Sequence, residues 1–125
     1  MDLEKAMDEA LGTGLRDGRE KIKLDDLIRT YPDGVTIVGF EMGEGKKGAF
    51  PVFAMAEAQK YFSGSGDLKI LADKWLAVSE GDITAINEAL RKKPTKVKIW
   101  KVQTNSGNTY TKVARLRPNP NNSAQ

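Results

Sequence analysis

The chain has 125 residues and a formal net charge of +3, with 20 Lys and Arg against 17 Asp and Glu, and neither Cys nor His. That length fits one domain able to bury a core without covalent staples. The missing Cys and His exclude disulfides, thiolate metal sites and the commonest general base, which leaves an enzyme only carboxylates, Lys, Tyr or Ser.

No apolar run approaches the roughly 20 residues needed to span a bilayer. The acidic start Met1-Asp2-Leu3-Glu4-Lys5 is unlike a signal or transit peptide. A cytoplasmic protein without membrane partner, metal or cofactor is therefore expected. The charge is unevenly spread. The last acid is Glu88, and residues 89–125 carry nine basic residues and no acid, while residues 1–88 hold 11 basic against 17 acidic. A +9 segment behind a −6 segment points to a polyanionic partner, nucleic acid before a membrane surface. The plainer alternative is a solvated face.

In chain order, Asp2 to Leu11 starts as a helix with Leu3, Met7, Ala10 and Leu11 on one stripe, ended by Gly12 and Gly14. This helical arm is taken as residues 1–18. Arg19 to Leu24 alternate as a short strand. Asp25 caps a brief helix carrying Leu27 and Ile28, stopped before Pro32. Tyr31-Pro32-Asp33-Gly34 reads as a turn. Val35 to Met42 and Ala49 to Ala56 read as strands, apolar on both faces and so central, or with one face occupied by a ligand. Pro51 favours an edge or a bulge.

The link Gly43-Glu44-Gly45-Lys46-Lys47-Gly48 matches the glycine spacing of dinucleotide-binding loops. A strand rather than a helix follows it, so a phosphate cradle is not expected. Lys46 and Lys47 sit instead on a basic hairpin that can fold over a nucleic-acid backbone, or on a plain exposed turn. Ala56 to Phe62 suggests a helical turn. Asp67 then caps a helix with Leu68, Leu71, Trp75 and Val78 at helical spacing. Asp82 caps another with Ile83, Ile86 and Leu90, stopped by Pro94. No carboxylate pair, metal-loop spacing or nucleophile motif suggests catalysis, so a non-enzymatic protein is expected.

Lys96 to Gln103 and Thr109 to Arg117 are alternating, β-branched runs around Asn105-Ser106-Gly107-Asn108, a β-hairpin signal. With Ser106-Gly107 at the turn centre, Trp100 faces Val113, Lys98 faces Arg115 and Lys96 faces Arg117. One face then carries Lys96, Lys98, Trp100, Val102, Thr111, Val113, Arg115 and Arg117. The other carries Val97, Ile99, Ala114 and Leu116, with Lys101, Gln103, Tyr110 and Lys112 toward the turn. An indole among cations suits base stacking over a phosphate chain. The alternative is a small second core of Trp100, Val102 and Val113 under a helix, in which case Tyr110, Lys101 and Lys112 form the binding patch. Residues 118–125, Pro-rich and polar, read as a disordered tail after a single domain 1–117.

The order of strands, a helical block and a closing hairpin fits an α+β, β-rich fold, an OB-like small barrel preceded by an N-terminal helix. A short first strand or one long bent strand supplies the fifth. The closing pattern Gly107-Asn108-Thr109-Tyr110-Thr111-Lys112-Val113 after a Lys-rich strand resembles OB-fold single-stranded DNA-binding proteins of phages and mobile elements. The blocks Tyr61-Phe62-Ser63-Gly64-Ser65-Gly66-Asp67-Leu68 and Asp73-Lys74-Trp75-Leu76 add to the resemblance, which covers residues 35–117. It implies sequence-tolerant binding of single-stranded DNA in replication or recombination, through Lys98, Trp100, Tyr110, Lys112 and Arg115. Lys96, Lys101, Lys46 and Lys47 join these as nucleic-acid-binding candidates on charge. The chain departs from bacterial members in ending Asn121-Asn122-Ser123-Ala124-Gln125, with no acidic partner-binding tail. DNA is favoured over RNA, and self-association as a homo-oligomer stays open. The second functional class is a protein–protein assembly module that binds no nucleic acid.

Overall fold

Strand Val35–Gly45, the longest in the sheet, serves two ladders. The computed structural model describes residues 15, 16 and 18–116; the remainder of the expected helical arm, Arg117 and the expected tail lie outside these residues. In chain order the elements are β1 (Glu20–Lys21), α1 (Leu24–Thr30), β2 (Val35–Gly45), β3 (Gly48–Met55) and β4 (Lys60–Ser63). They continue with α2 (Asp67–Val78), α3 (Ile83–Lys92), β5 (Thr95–Gln103) and β6 (Thr109–Arg115). Among the described residues the fold is α+β and β-rich, with three helices and one open six-stranded sheet in the order β1-β4-β3-β2-β5-β6. Only the two-residue β1 pairs in parallel, with β4; every other ladder is antiparallel. The sheet does not close into a barrel.

β2 pairs with β5 only over Val35 to Ile37, and with β3 from Ile37 to Gly45 across a bulge between Ile37 and Gly39. A bulge bends a strand and raises its twist, which turns β2 away from β5. The carboxylate of Glu57 fastens this bend, accepting from the Thr36 N–H at 2.8 Å and from its hydroxyl at 2.8 Å. Past the bend, Phe40 has no strand on its β5 side. Asn87 of α3 takes that place: its Oδ1 accepts from the Phe40 N–H at 2.7 Å and its Nδ2 donates to the Phe40 carbonyl at 2.8 Å.

The core lies under the sheet face that α2 and α3 cover. Phe53 packs between Phe40 and Phe62 with ring centroids 5.5 Å apart in each pair. Trp75 meets Phe40 and Phe53 edge-on at 5.6 and 6.0 Å. β3 is buried on both faces, as its apolar run predicts. Phe53 points into the core, and Val52 and Ala54 are buried on the opposite face. The chain entering β1 crosses that second face. The Leu15 side chain lies over Gly39, where any side chain on residue 39 would collide with it, and Arg16 pairs with buried Glu41 at 2.7 Å.

Several expectations need correction. Ala56 to Phe62 is no helical turn. A bend over residues 56–59 leads into β4, whose Phe62 faces Phe53 in the β3 ladder. The strand expected over Arg19 to Leu24 shortens to Glu20–Lys21, since α1 already begins at Leu24 behind Lys23. Asp25 is therefore a first-turn residue and not the cap. The Gly43–Gly48 link is mostly ladder: Gly45 faces Gly48, leaving Lys46 and Lys47 as a two-residue turn. Pro51 lies just beyond the end of the β4 ladder, which reaches only Val52. Asp82 does cap α3, accepting from the Ala85 N–H at 3.1 Å. No helix among the described residues is long and apolar enough to cross a membrane.

Replacing Asn87 by Ala should cost about 2–4 kcal/mol, because it leaves a buried N–H and C=O of β2 without partners. Urea unfolding of the variant checks this; a midpoint within error of the parent protein would show that the Asn87 bridge is dispensable.

Candidate nucleic-acid interface on the closing hairpin

The β5–β6 hairpin is turned by Asn105-Ser106-Gly107. Thr104 and Asn108 close the loop through the Thr104 N–H donating to the Asn108 carbonyl at 2.7 Å, and the Gly107 N–H donates to the Thr104 carbonyl at 2.9 Å. Gly107 has φ +84°, so the loop is a type I turn followed by a left-handed residue, the usual three-residue hairpin connection. A three-residue loop shifts the facing pairs by one from those set by a two-residue turn. Ile99 faces Val113, Trp100 faces Lys112, Lys98 faces Ala114 and Val97 faces Arg115.

A one-residue slip moves every β6 side chain to the other face, and this corrects both expected patches. The outer face carries Lys96, Lys98, Trp100 and Val102 on β5, with Tyr110, Lys112, Ala114 and Leu116 beside them. The inner face carries buried Val97 and Ile99 with Lys101, Gln103, Thr111, Val113 and Arg115. Trp100 is half-buried, and its near neighbours on that face are Lys98, Val102 and, across the ladder, Lys112. Lys96, Lys98 and Lys112 are exposed. The outer face is a compact basic surface with an indole at its centre and no carboxylate on either strand.

Arg115 leaves this patch for the inner face. Lys101 is also on the inner face, held at 2.6 Å by Asp25 of α1; that ammonium keeps the Asp25 carboxyl below the usual carboxylate range. Tyr110 and Lys112 move the other way, onto the Trp100 face, so the expected grouping of Tyr110, Lys101 and Lys112 is not formed. Lys46 and Lys47 sit exposed at the far end of β2 from the Val35–Ile37 segment that holds β5. The hairpin tip extends past Val35 in the opposite direction, so the register does not bring these two lysines to Trp100.

What fixes the hairpin is a clasp on its free edge, which sequence reasoning missed. Gly66, in a left-handed conformation at φ +63°, lies so close to β6 that a Cβ there would fall 2.6 Å from the Thr111 carbonyl oxygen. The next residue, Asp67, spends its carboxylate on β6 and caps nothing in its own helix. It accepts from the Tyr110 hydroxyl at 2.7 Å and from the Val113 N–H at 3.0 Å. The Tyr110 hydroxyl, then the Val113 N–H, hold the Asp67 carboxyl below its ordinary pKa. The same contact holds the Tyr110 phenol above its own. Tyr110 thus anchors the patch, its hydroxyl turned to the edge of β6. Nothing local signals the clasp, because glycine is an ordinary helix start and an acid in the first turn is common.

No cluster of three or more acidic residues that could hold a metal ion occurs among the described residues. Comparison with protein-family models, with curated proteins and with solved structures returns no match.

The clasp sets a pH dependence with a definite sign. A depressed carboxyl pKa contributes stability that is present above the unfolded-state value and lost as pH falls through the lowered one. The raised phenol contributes stability below the ordinary tyrosine range that is lost as pH rises through its raised value. Asp67→Ala should therefore unfold at lower urea than the parent protein at neutral pH, and the two midpoints should converge in strong acid. Parallel midpoints across the whole range would reject the clasp. Gly66→Ala should cost roughly 1–3 kcal/mol through backbone strain, read as a lower urea midpoint than the parent protein's.

Proposed function

We propose that the outer face of the β5–β6 hairpin binds single-stranded nucleic acid with little sequence preference, DNA ahead of RNA, and that the protein is a non-enzymatic cytoplasmic binder. The observation that carries this reading is the grouping of Lys96, Lys98 and Lys112 around the half-buried Trp100 on one face. Stacking a base on an aromatic ring contributes about 1–3 kcal/mol and tolerates any base, and adjacent ammonium groups track the phosphate chain. Val102, Ala114 and Leu116 on the same face offer apolar surface to sugars and base edges.

We propose further that the sheet is an opened OB-like barrel. The β2-β3-β4 meander, the helices and the β5–β6 return, with β5 on β2, follow the strand order of an OB barrel. Where such a barrel would join its third and fifth strands, here β4 and β6, this chain has the Gly66-Asp67 clasp. The sequence resemblance to single-stranded DNA-binding proteins of phages and mobile elements points the same way. A role in replication or recombination follows from that resemblance alone.

Intrinsic Trp fluorescence titrated with a single-stranded oligonucleotide, and with its duplex, tests the proposal. The single strand should bind more tightly, and three neutralised phosphates should give log K against log salt a slope of about −2. Trp100→Ala should weaken binding by roughly 1–3 kcal/mol. Lys112→Gln should reduce the slope, and Arg115→Gln, on the other face, should leave it unchanged. Equal affinity for duplex, a salt-independent constant, or full binding by Trp100→Ala would each reject the assignment.

A further inference from the structure

Behind the Trp100 face, the inner surface of the hairpin meets α2 and α3 around an open groove of ≈ 920 Å³. Its floor is aliphatic, built from Leu71, Ile86, Leu90, Val97 and Val113. Two lips of the groove are aliphatic as well. Ile70 is 48% and Val78 87% exposed, and they are the exposed large hydrophobic residues among those described. Large apolar side chains left in water beside an apolar trough mark a surface suited to a partner.

The rim supplies the charge. Lys74 from α2, Lys93 after α3 and Arg115 from β6 stand around the groove. The one acid that lines it, Asp67, has its two oxygens engaged by Tyr110 and Val113. The trough therefore presents a cationic border around an aliphatic floor. A stacked nucleic acid suits it poorly, because Trp75 is the one aromatic that lines it and is already packed against Phe40 and Phe53 of the core. Strand addition does not suit it either, since Gly66 and Asp67 already occupy the β6 edge at Thr111 and Val113.

We propose that this groove is a docking site for an acidic amphipathic helix of a partner protein. Such a helix lays apolar anchors at i, i+3, i+4 and i+7 into a trough while its carboxylates meet the flanking cations. The site is independent of the nucleic-acid face, with which it shares the hairpin but no side chain.

The test uses the full chain and a fluorescein-labelled designed helical peptide of about five turns, with Leu anchors on one face and Glu elsewhere. A control peptide carries Gln in place of Glu. Anisotropy should show saturable binding of the acidic peptide. Val78→Glu should weaken it at least tenfold, roughly the size of one lost hot-spot anchor. Val78 is so exposed that this change leaves folding intact, which circular dichroism checks. Lys93→Gln and Arg115→Gln should each weaken binding about two- to fivefold, and Lys112→Gln should not. No binding at millimolar protein, equal binding of the Gln peptide, or an unaffected Val78→Glu variant would overturn the proposal. So would displacement of the peptide by a single-stranded oligonucleotide, or a homodimer that Val78→Glu dissolves, which would make a second copy the occupant.

Discussion

After Ile37, β2 leaves β5 and still has to satisfy its backbone on that side. Asn87 meets this constraint with one carboxamide that both accepts from and donates to Phe40. A third bond, from Asn87 Nδ2 to the Ile83 carbonyl at 3.2 Å, ties the same side chain to its own helix. Because the bridge comes from a helix, α3 must lie in the angle between β2 and β5, wedging them apart. That wedge splays the hairpin away from β2, and the groove lies where α2 and α3 face the hairpin's inner surface.

The wedge leaves β5–β6 attached to the sheet by three facing pairs. A two-stranded ribbon is marginal by itself in water, so the hairpin needs other holds. Val97 and Ile99 bury into the shared core on its inner face. The Gly66-Asp67 clasp takes two positions on its free edge, which also protects that edge from pairing with another chain. Closer to β2, Gly34 lies against the Val97 carbonyl and the Leu116 side chain, so closely that a Cβ would sit 2.7 Å from each. The inner face, the free edge, and Tyr110 and Leu116 toward the two ends of the outer face hold the hairpin. Trp100 can remain half-exposed there because the core does not depend on it.

How legible these features are in the sequence depends on how local their causes are. The periodicity of Leu68, Leu71 and Trp75 and of Ile83, Ile86 and Leu90 places α2 and α3, because a helix is written in spacing alone. Asp82 reads correctly as a cap since its partner is three residues away. Asp67 has the same local sequence logic, yet its partners are more than 40 residues ahead, and no window around residue 67 contains them. β4 fails for a similar reason. Lys60–Ser63 is four residues long and has no period of its own, and it is a strand because Phe62 stacks on Phe53. The hairpin register was legible in principle: glycine as the third loop residue signals a three-residue connection, whereas Ser-Gly is a weak centre for a two-residue one.

That register changes what the acid-free segment means. Counted along the chain, its nine basic residues look like one polyanion footprint. In space they divide. Lys98 and Lys112 flank an indole on the outer face with Lys96 farther along β5, Lys101 is neutralised by Asp25, and Lys93 and Arg115 join Lys74 at the rim of an aliphatic trough. Cations beside a stacking ring suit a phosphate chain with bases, and cations beside Leu, Ile and Val suit carboxylates carried on an apolar helix. Charge alone cannot tell these surfaces apart; the neighbours of each charge do, and the length of one turn assigns them. An insertion or deletion of one residue at Asn105-Ser106-Gly107 would exchange Lys112 and Arg115 between the faces without altering net charge.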